Sequence, residues 1–191
     1  MYIVAGIFRN RKLNAPKGEN TRPTASHLRE TLFNICQTYV EDSRFLDLFA
    51  GSGAVGLEAI SRGAKSSTFV ENHKDAIRCI QQNIKSLAVE NQCILHSGDV
   101  FKVLERLELN KNQFDIIFAD PPYHVHTKIP EIPFSEKIIR WIDENNLLVS
   151  GGTLFIEEAF EHQPQISDLK TLKLKNSRRV SSAILQQYVR C

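Results

Sequence analysis

Long apolar runs are missing from this chain: none approaches the ~20 residues that a membrane-spanning helix needs. Residues 1–8 are apolar but carry no basic n-region and no cleavage site, so they do not read as a signal peptide, and the default compartment is cytoplasmic. Cysteine is sparse. Cys36, Cys79, Cys93 and Cys191 give no C-x-x-C spacing and no accompanying histidine pattern, which argues against a disulfide framework or a metal cluster. The six histidines are scattered; His124 and His126 alternate without a third ligand, so no metal is expected. Internal repeats and low-complexity tracts are absent too. What remains is ordinary: 191 residues, 42% apolar and 24% charged, enough for one α/β domain with a real core and a small appendage.

Net charge is also small, +2, but it is unevenly spread. Residues 1–29 hold six Lys/Arg and one acid, residues 30–168 hold twelve against twenty-one, and residues 169–191 hold six and none. Basic ends around an acidic middle suit a polyanion held by the termini, with solvated terminal charge as the plain alternative.

Residues 1–8 are rich in β-formers, Arg9-Asn10-Arg11-Lys12 reads as a turn, and residues 13–15 return, which predicts a β-hairpin with a basic tip. A helix follows with Thr24 or Ser26 as N-cap and Leu28, Leu32, Ile35 and Tyr39 on its packed face, leaving Arg29 and Glu30 off it. This hairpin and helix, residues 1–40, form an N-terminal appendage; residues 41–191 form the main domain. There, strands at 45–50, 67–71, 93–96, 114–119 and 153–157 alternate with helices at 54–62, 74–87, 101–107 and 136–145, the last carrying the single tryptophan, Trp141. Such alternation predicts a parallel, doubly wound α/β sheet. Gly151-Gly152 reads as a turn into the fifth strand. Residues 172–175 and 183–189 read as a final strand pair, joined by the basic turn Ser177-Arg178-Arg179, that closes the sheet antiparallel.

The chemistry lies at strand ends. Phe114 to Ala119 is a buried strand, and Asp120-Pro121-Pro122-Tyr123 stops it, because proline donates no N–H to a ladder. In an open α/β sheet, residues after the carboxyl end of a strand face the ligand crevice. Asp120 and the proline carbonyls can accept from an exocyclic amine while the Tyr123 ring stacks on its base. Taken alone, this could equally be a strand and a proline-rich turn. Asp47-Leu48-Phe49-Ala50-Gly51-Ser52-Gly53 is a second strand end running into a glycine-rich turn and helix start, where the backbone can come close to a ligand. Glu71, with Asn72 after it, ends the next strand, where a carboxylate accepts from ribose hydroxyls. A nicotinamide dinucleotide would satisfy that much. But Asp47 would repel a pyrophosphate and welcome a cation, and Asp99 and Val100 after the third strand can hold an adenine amine and cover its ring. S-adenosylmethionine carries ammonium, sulfonium, ribose and adenine, and no phosphate.

The order Asp47 to Gly53, Glu71, Asp99, then Asp120-Pro121-Pro122-Tyr123 resembles the class I S-adenosylmethionine-dependent methyltransferases that modify exocyclic base nitrogens. Gly6 with Arg9-Asn10-Arg11-Lys12-Leu13, then Arg22-Pro23-Thr24 and Arg29-Glu30-Thr31-Leu32-Phe33-Asn34, narrows the resemblance to the RsmD family, which methylates the N2 amine of one guanine in 16S ribosomal RNA. Asn10 departs from the family, which usually has glycine there. The resemblance implies a Rossmann-like, mostly parallel seven-stranded sheet with an antiparallel last strand, and a monomer acting on assembled small subunits. It implies the cofactor set Asp47, Phe49, Ala50, Gly51, Ser52, Gly53, Glu71, Asn72, Asp99 and Val100, and the catalytic set Asp120, Pro121, Pro122 and Tyr123. RNA contacts fall to Arg9, Arg11, Lys12, Arg22, Arg29, Arg178 and Arg179. Two other readings stay open. One is an adenine-N6 DNA methyltransferase, disfavoured by the lack of room for a sequence-reading domain. The other is a non-catalytic assembly factor, disfavoured by the intact Asp120 motif.

Overall fold

A computed structural model describes residues 1–16, 23–122, 132–162, 164 and 166–191. Arg22, Tyr123, His124 and His126 therefore lie outside the described residues. Seven strands form one sheet in the order β3-β2-β1-β4-β5-β7-β6, where β1 is Arg44–Leu48, β2 Ser66–Glu71, β3 Cys93–Ser97, β4 Phe114–Ala119, β5 Leu148–Ala159, β6 Leu172–Val180 and β7 Ala183–Arg190. The five strands from β3 to β5 are parallel; β7 runs antiparallel between β5 and β6, which is the mostly parallel sheet with a reversed last strand expected from the sequence.

Alternation along the central strands sorts side chains into two layers. Phe45 of β1 joins the layer holding helices α1 (Pro23–Cys36), α2 (Ala54–Ser61) and α3 (Lys74–Leu87), while Leu46 and Leu48 join the layer holding α4 (Val100–Leu109) and α5 (Phe134–Glu144). In α3 the buried residues Ala76, Ile80, Asn83, Ile84 and Leu87 recur at helical spacing. Gly56 lets α2 lie directly on β2: a Cβ there would come within 2.3 Å of the Phe69 ring and 2.4 Å of Ser67 Oγ.

Several boundaries moved for physical reasons. The N-terminal hairpin is reduced to one antiparallel bridge, Tyr2 with Lys12, because α2 takes up its backbone donors: Glu58 accepts from Val4 N at 2.8 Å and Ala5 N at 2.9 Å, and Ser61 Oγ from Phe8 N at 3.0 Å. Ile3, Leu13, Leu28, Leu32 and Phe33 share one core cluster with Leu57 and Phe69, so the first 40 residues are joined to the sheet through common packing. Asn10 sits at φ 66, a left-handed conformation that asparagine tolerates, so it serves the turn in place of glycine. Helix α1 starts at Pro23, which suits a first helical position and puts Thr24 and Ser26 inside the first turn instead of at the cap. Its packed face centres on Leu28, Arg29, Leu32, Phe33 and Cys36, whereas Tyr39 lies beyond the helix. Gly151 and Gly152 belong to β5, where the pairing register with β4 slips, and the turn between β6 and β7 is Ser181-Ser182, so Arg178 and Arg179 are strand residues. The four cysteines are free thiols. Among the described residues, no helix is long and apolar enough to cross a membrane.

Candidate active site

Parallel strands put their carboxyl ends on one edge, and there the structure forms a cleft of about 530 Å³, within the usual range for small-molecule sites. Crossing the sheet from β3 to β5, its polar groups are Asp99, Glu71 with Asn72, the Phe49-Ala50-Gly51-Ser52 turn, Asp120 with Pro122, and Glu157. Among the described residues of the lining, four are carboxylates and the one arginine or lysine is Arg29.

Glu71 ends β2 and is held by three backbone donors. Its Oε2 accepts from Gly51 N at 2.8 Å, and its Oε1 from Asn72 N and His73 N, each at 2.8 Å. These bonds tie the glycine-rich turn to the start of α3 and still leave lone pairs for a ligand hydroxyl. Asp99 is the N-cap of α4: its Oδ1 accepts from Phe101 N at 3.1 Å and Lys102 N at 3.2 Å. Asp99 and Val100 both line the cleft.

Asp47, expected to repel a pyrophosphate and welcome a cation, stands behind the lining. It is 1% exposed, does not line the cleft, and its Oδ2 accepts from Gly56 N at 2.9 Å beneath the turn. Burial, followed by the charges of Asp120 and Glu71 and resisted by the Gly56 N–H, pushes its carboxyl up to about 7. Gly53 likewise stands behind the lining as the cap of α2, packed near Ile80 and Phe69.

Asp120 follows β4, and the β4–β5 register, Ala119 opposite Ile156, sets Asp120 and Glu157 side by side one step beyond the ladder. Pro121 is buried and Pro122 exposed to the cleft. Tyr123, expected to stack on the base, lies outside the described residues. A different aromatic wall is present: Phe134 at the start of α5 meets Phe49 edge-on at 6.3 Å and lies nearly parallel to Phe101 at 6.2 Å. Phe49, in the lining, holds this position at φ 62, a strained conformation for a non-glycine residue.

Sequence reasoning missed Phe134, Glu157, Met1 and Leu28 as lining residues. Glu157 had a legible signal, a carboxylate at the carboxyl end of a strand like Glu71. Phe134, Met1 and Leu28 reach the cleft only through tertiary packing and had none.

The expected RNA contacts divide. Arg9, Arg11 and Lys12 are exposed on the N-terminal loop, where Arg11 Nη2 donates to Ser86 O at 2.9 Å. Arg178 and Arg179 are exposed on β6, with Arg179 over the Phe160 ring at 4.0 Å. Arg29 is a correction: it is 4% exposed, and its Nη2 donates to Tyr2 O at 2.8 Å. The helical face that packs is rotated toward it, so it cannot serve as a surface phosphate contact.

Residues 1–189 match the family described as Conserved hypothetical protein 95. The chain is 36% identical over 159 residues to ribosomal RNA small subunit methyltransferase D of Haemophilus influenzae, covering 81% of this chain and 77% of that protein. It is 31% identical to the protein of the same name from Escherichia coli K12, over 84% of this chain and 75% of that one. Among solved structures, a hypothetical protein of Thermus thermophilus superposes with a TM-score of 0.80 at 25% identity, covering 100% of this chain and 99% of that one.

Proposed function

The chain belongs to the RsmD family of S-adenosylmethionine-dependent methyltransferases, and from that premise we propose that it methylates the exocyclic N2 of a guanine in the 16S RNA of the small ribosomal subunit. The observation that carries the cofactor reading is the charge of the cleft. Among the described residues, four carboxylates face one arginine, which suits a ligand bearing a sulfonium and an ammonium and opposes a pyrophosphate. The donor set fits in detail: Glu71 retains acceptor capacity for ribose, Asp99 and Val100 flank an adenine position, and the cleft volume suits a nucleoside with an amino-acid tail.

Bound S-adenosylmethionine supplies an electrophilic methyl group on its sulfonium. The protein's own work is to orient a weak nucleophile, since the guanine amine has its lone pair drawn into the ring. Asp120 and the Pro121 carbonyl accept the two amine N–H bonds, which favours a pyramidal nitrogen with its lone pair aimed at the methyl group. Asp120 need not take a proton before transfer; holding the amine in line supplies much of the rate. Tyr123 stacks on the base, worth ~1–3 kcal/mol by analogy with single-strand binders. To reach this position the base leaves its own stack, so a flipped nucleotide is part of the reading.

The exposed basic residues position the RNA. Arg178 pairs with Leu185, and Leu185 with Glu157, so Arg178 stands two strands, roughly 10 Å, from the cleft edge. Arg9, Arg11 and Lys12 grip from the N-terminal loop. Residues 1–40 thus act as an RNA-contacting front that also walls the cleft, and residues 41–191 as the catalytic body. Incubating small subunits and naked 16S RNA with labelled S-adenosylmethionine tests this. N2-methylguanosine in the RNA is expected; label on N6 of adenine in duplex DNA, with ribosomal guanine untouched, overturns it.

A further inference from the structure

Among the described residues, Arg29 has one ion-pair partner, and it shares that partner with a second arginine. It sits on α1 at 4% exposure and lines the cleft beside Met1, Leu28 and Ser52. Its nearest anion is Glu58 of α2, at 0% exposure, but Glu58 is already in use. Its Oε2 accepts from Val4 N at 2.8 Å; its Oε1 accepts from Ala5 N and from Arg62 Nε, both at 2.9 Å. Arg29 Nε is left 3.6 Å from Oε2, too far for a hydrogen bond, and is buried without a hydrogen-bond partner among the described residues. Two arginines therefore share one carboxylate, and the trio carries an excess positive charge in a nearly dry place. Burial holds the Arg29 guanidinium below its usual range, against the pull of Glu58 and Glu30. A buried cation is tolerated when an anion completes its surroundings.

The cleft says which anion. Adenine at Asp99 and ribose at Glu71 occupy the ends of β3 and β2, so the amino-acid end of the ligand lies over β1 and β4. Arg29 lines the same cleft as the turn after β1, Phe49 to Ser52, and Asp120 after β4. The amino-acid tail carries one negative group, its α-carboxylate. An RNA phosphate cannot follow the guanidinium to 4% exposure, whereas a small carboxylate already in the cleft can.

Building on the cofactor reading above, we propose that Arg29 binds the α-carboxylate of S-adenosylmethionine and so makes the N-terminal segment part of the cofactor site. The four cleft carboxylates then address the cationic groups and hydroxyls of the ligand, and Arg29 addresses its one anion.

Calorimetry with S-adenosylmethionine and its decarboxylated analogue, which keeps the sulfonium and the amine, is the test. The unaltered protein is expected to prefer the carboxylated compound by roughly tenfold or more, the scale of a charge-assisted hydrogen bond. Arg29→Gln removes most of that preference, and Arg29→Lys retains part of it. A reading that needs no variant is the Nε–H resonance of Arg29 in the intact protein. It shifts with S-adenosylmethionine and stays with the decarboxylated analogue. Equal affinity of the unaltered protein for both compounds overturns the proposal alone; binding of neither overturns the cofactor reading beneath it. Unchanged preference in Arg29→Gln, with loss of small-subunit binding, assigns Arg29 to RNA and also overturns the proposal.

Discussion

The two halves of the sheet use the same backbone ladder for opposite purposes. From β3 to β4 each short strand is parallel and leads from its carboxyl end into the cleft, so Asp99, Glu71 and Asp120 arrive there from separate places in the sequence. Beyond β5 the direction reverses. Strand β7 is buried for most of its length and sends no carboxylate to the cleft, while β6 is the outer strand, largely exposed and basic. Exposed charge on such an edge discourages pairing with another chain and leaves a surface for a polyanion. Chemistry follows from strands that end together; grip follows from a strand left uncovered.

Replacing Asp120 by alanine should break the first half most completely. Methyl transfer should fall by about 10²–10³-fold, the scale for losing one preorganised transition-state partner, while calorimetry still registers S-adenosylmethionine. Single-turnover rates near wild type would show that another group orients the amine. Next in size, Glu71→Ala should weaken S-adenosylmethionine binding by ~1.5–3 kcal/mol. It should also lower the melting temperature of the unliganded protein, since three backbone donors lose their acceptor.

A glycine from each half compares their tolerance. Gly56→Ala should cost about 1–3 kcal/mol through overpacking against Phe69 and Ser67. Gly151→Ala, in β5 with nothing within 4 Å of its Cβ but φ +77, should cost only about 1–2 kcal/mol of backbone strain. Denaturant titrations giving the reverse order would place the tighter packing in the wrong half. Reversing Arg178, or Arg9, Arg11 and Lys12 together, should raise KM for small subunits and flatten its salt dependence, leaving cofactor affinity alone. Normal methylation by both variants at physiological salt would reduce these residues to solvated surface.

The smallest effect is a titration. Asp47 has its carboxyl raised from 3.8 to about 7, so folding takes up a proton between those values and the unliganded protein loses that stability as pH rises through about 7. A cationic ligand nearby favours the ionised form, so S-adenosylmethionine affinity should rise through the same interval with proton release. Calorimetry in buffers of different ionisation enthalpy measures that release, and Asp47→Asn should abolish it.

Much of this was legible because it is local. Strand ends with carboxylates and a glycine-rich turn pointed to Glu71, Asp99 and Asp120, which the structure brings to one cleft, since a parallel sheet gathers such ends whatever their separation. Arg29 was misjudged because one helix turn of rotation decides between surface and core, and that rotation is set by what α1 meets. Arg178 and Arg179 were read as a turn because charge and strand edge look alike when the ladder's last register is unknown. Asp47 was legible as an anion near the cofactor turn, yet its depth below the lining depends on how closely Gly56 lets α2 approach.

The docking of residues 4 and 5 onto Glu58 spans separations of 54 and 53 in the chain. Such a contact contributes late to folding and opens as a unit. Since Met1 and Arg29 belong to that wall, opening it should remove one side of the cleft, and a ligand that binds only the closed form must oppose opening by its full binding free energy. The amides of Val4 and Ala5 then become remote reporters of occupancy: their hydrogen exchange should slow in proportion to cofactor saturation, although neither residue lines the cleft.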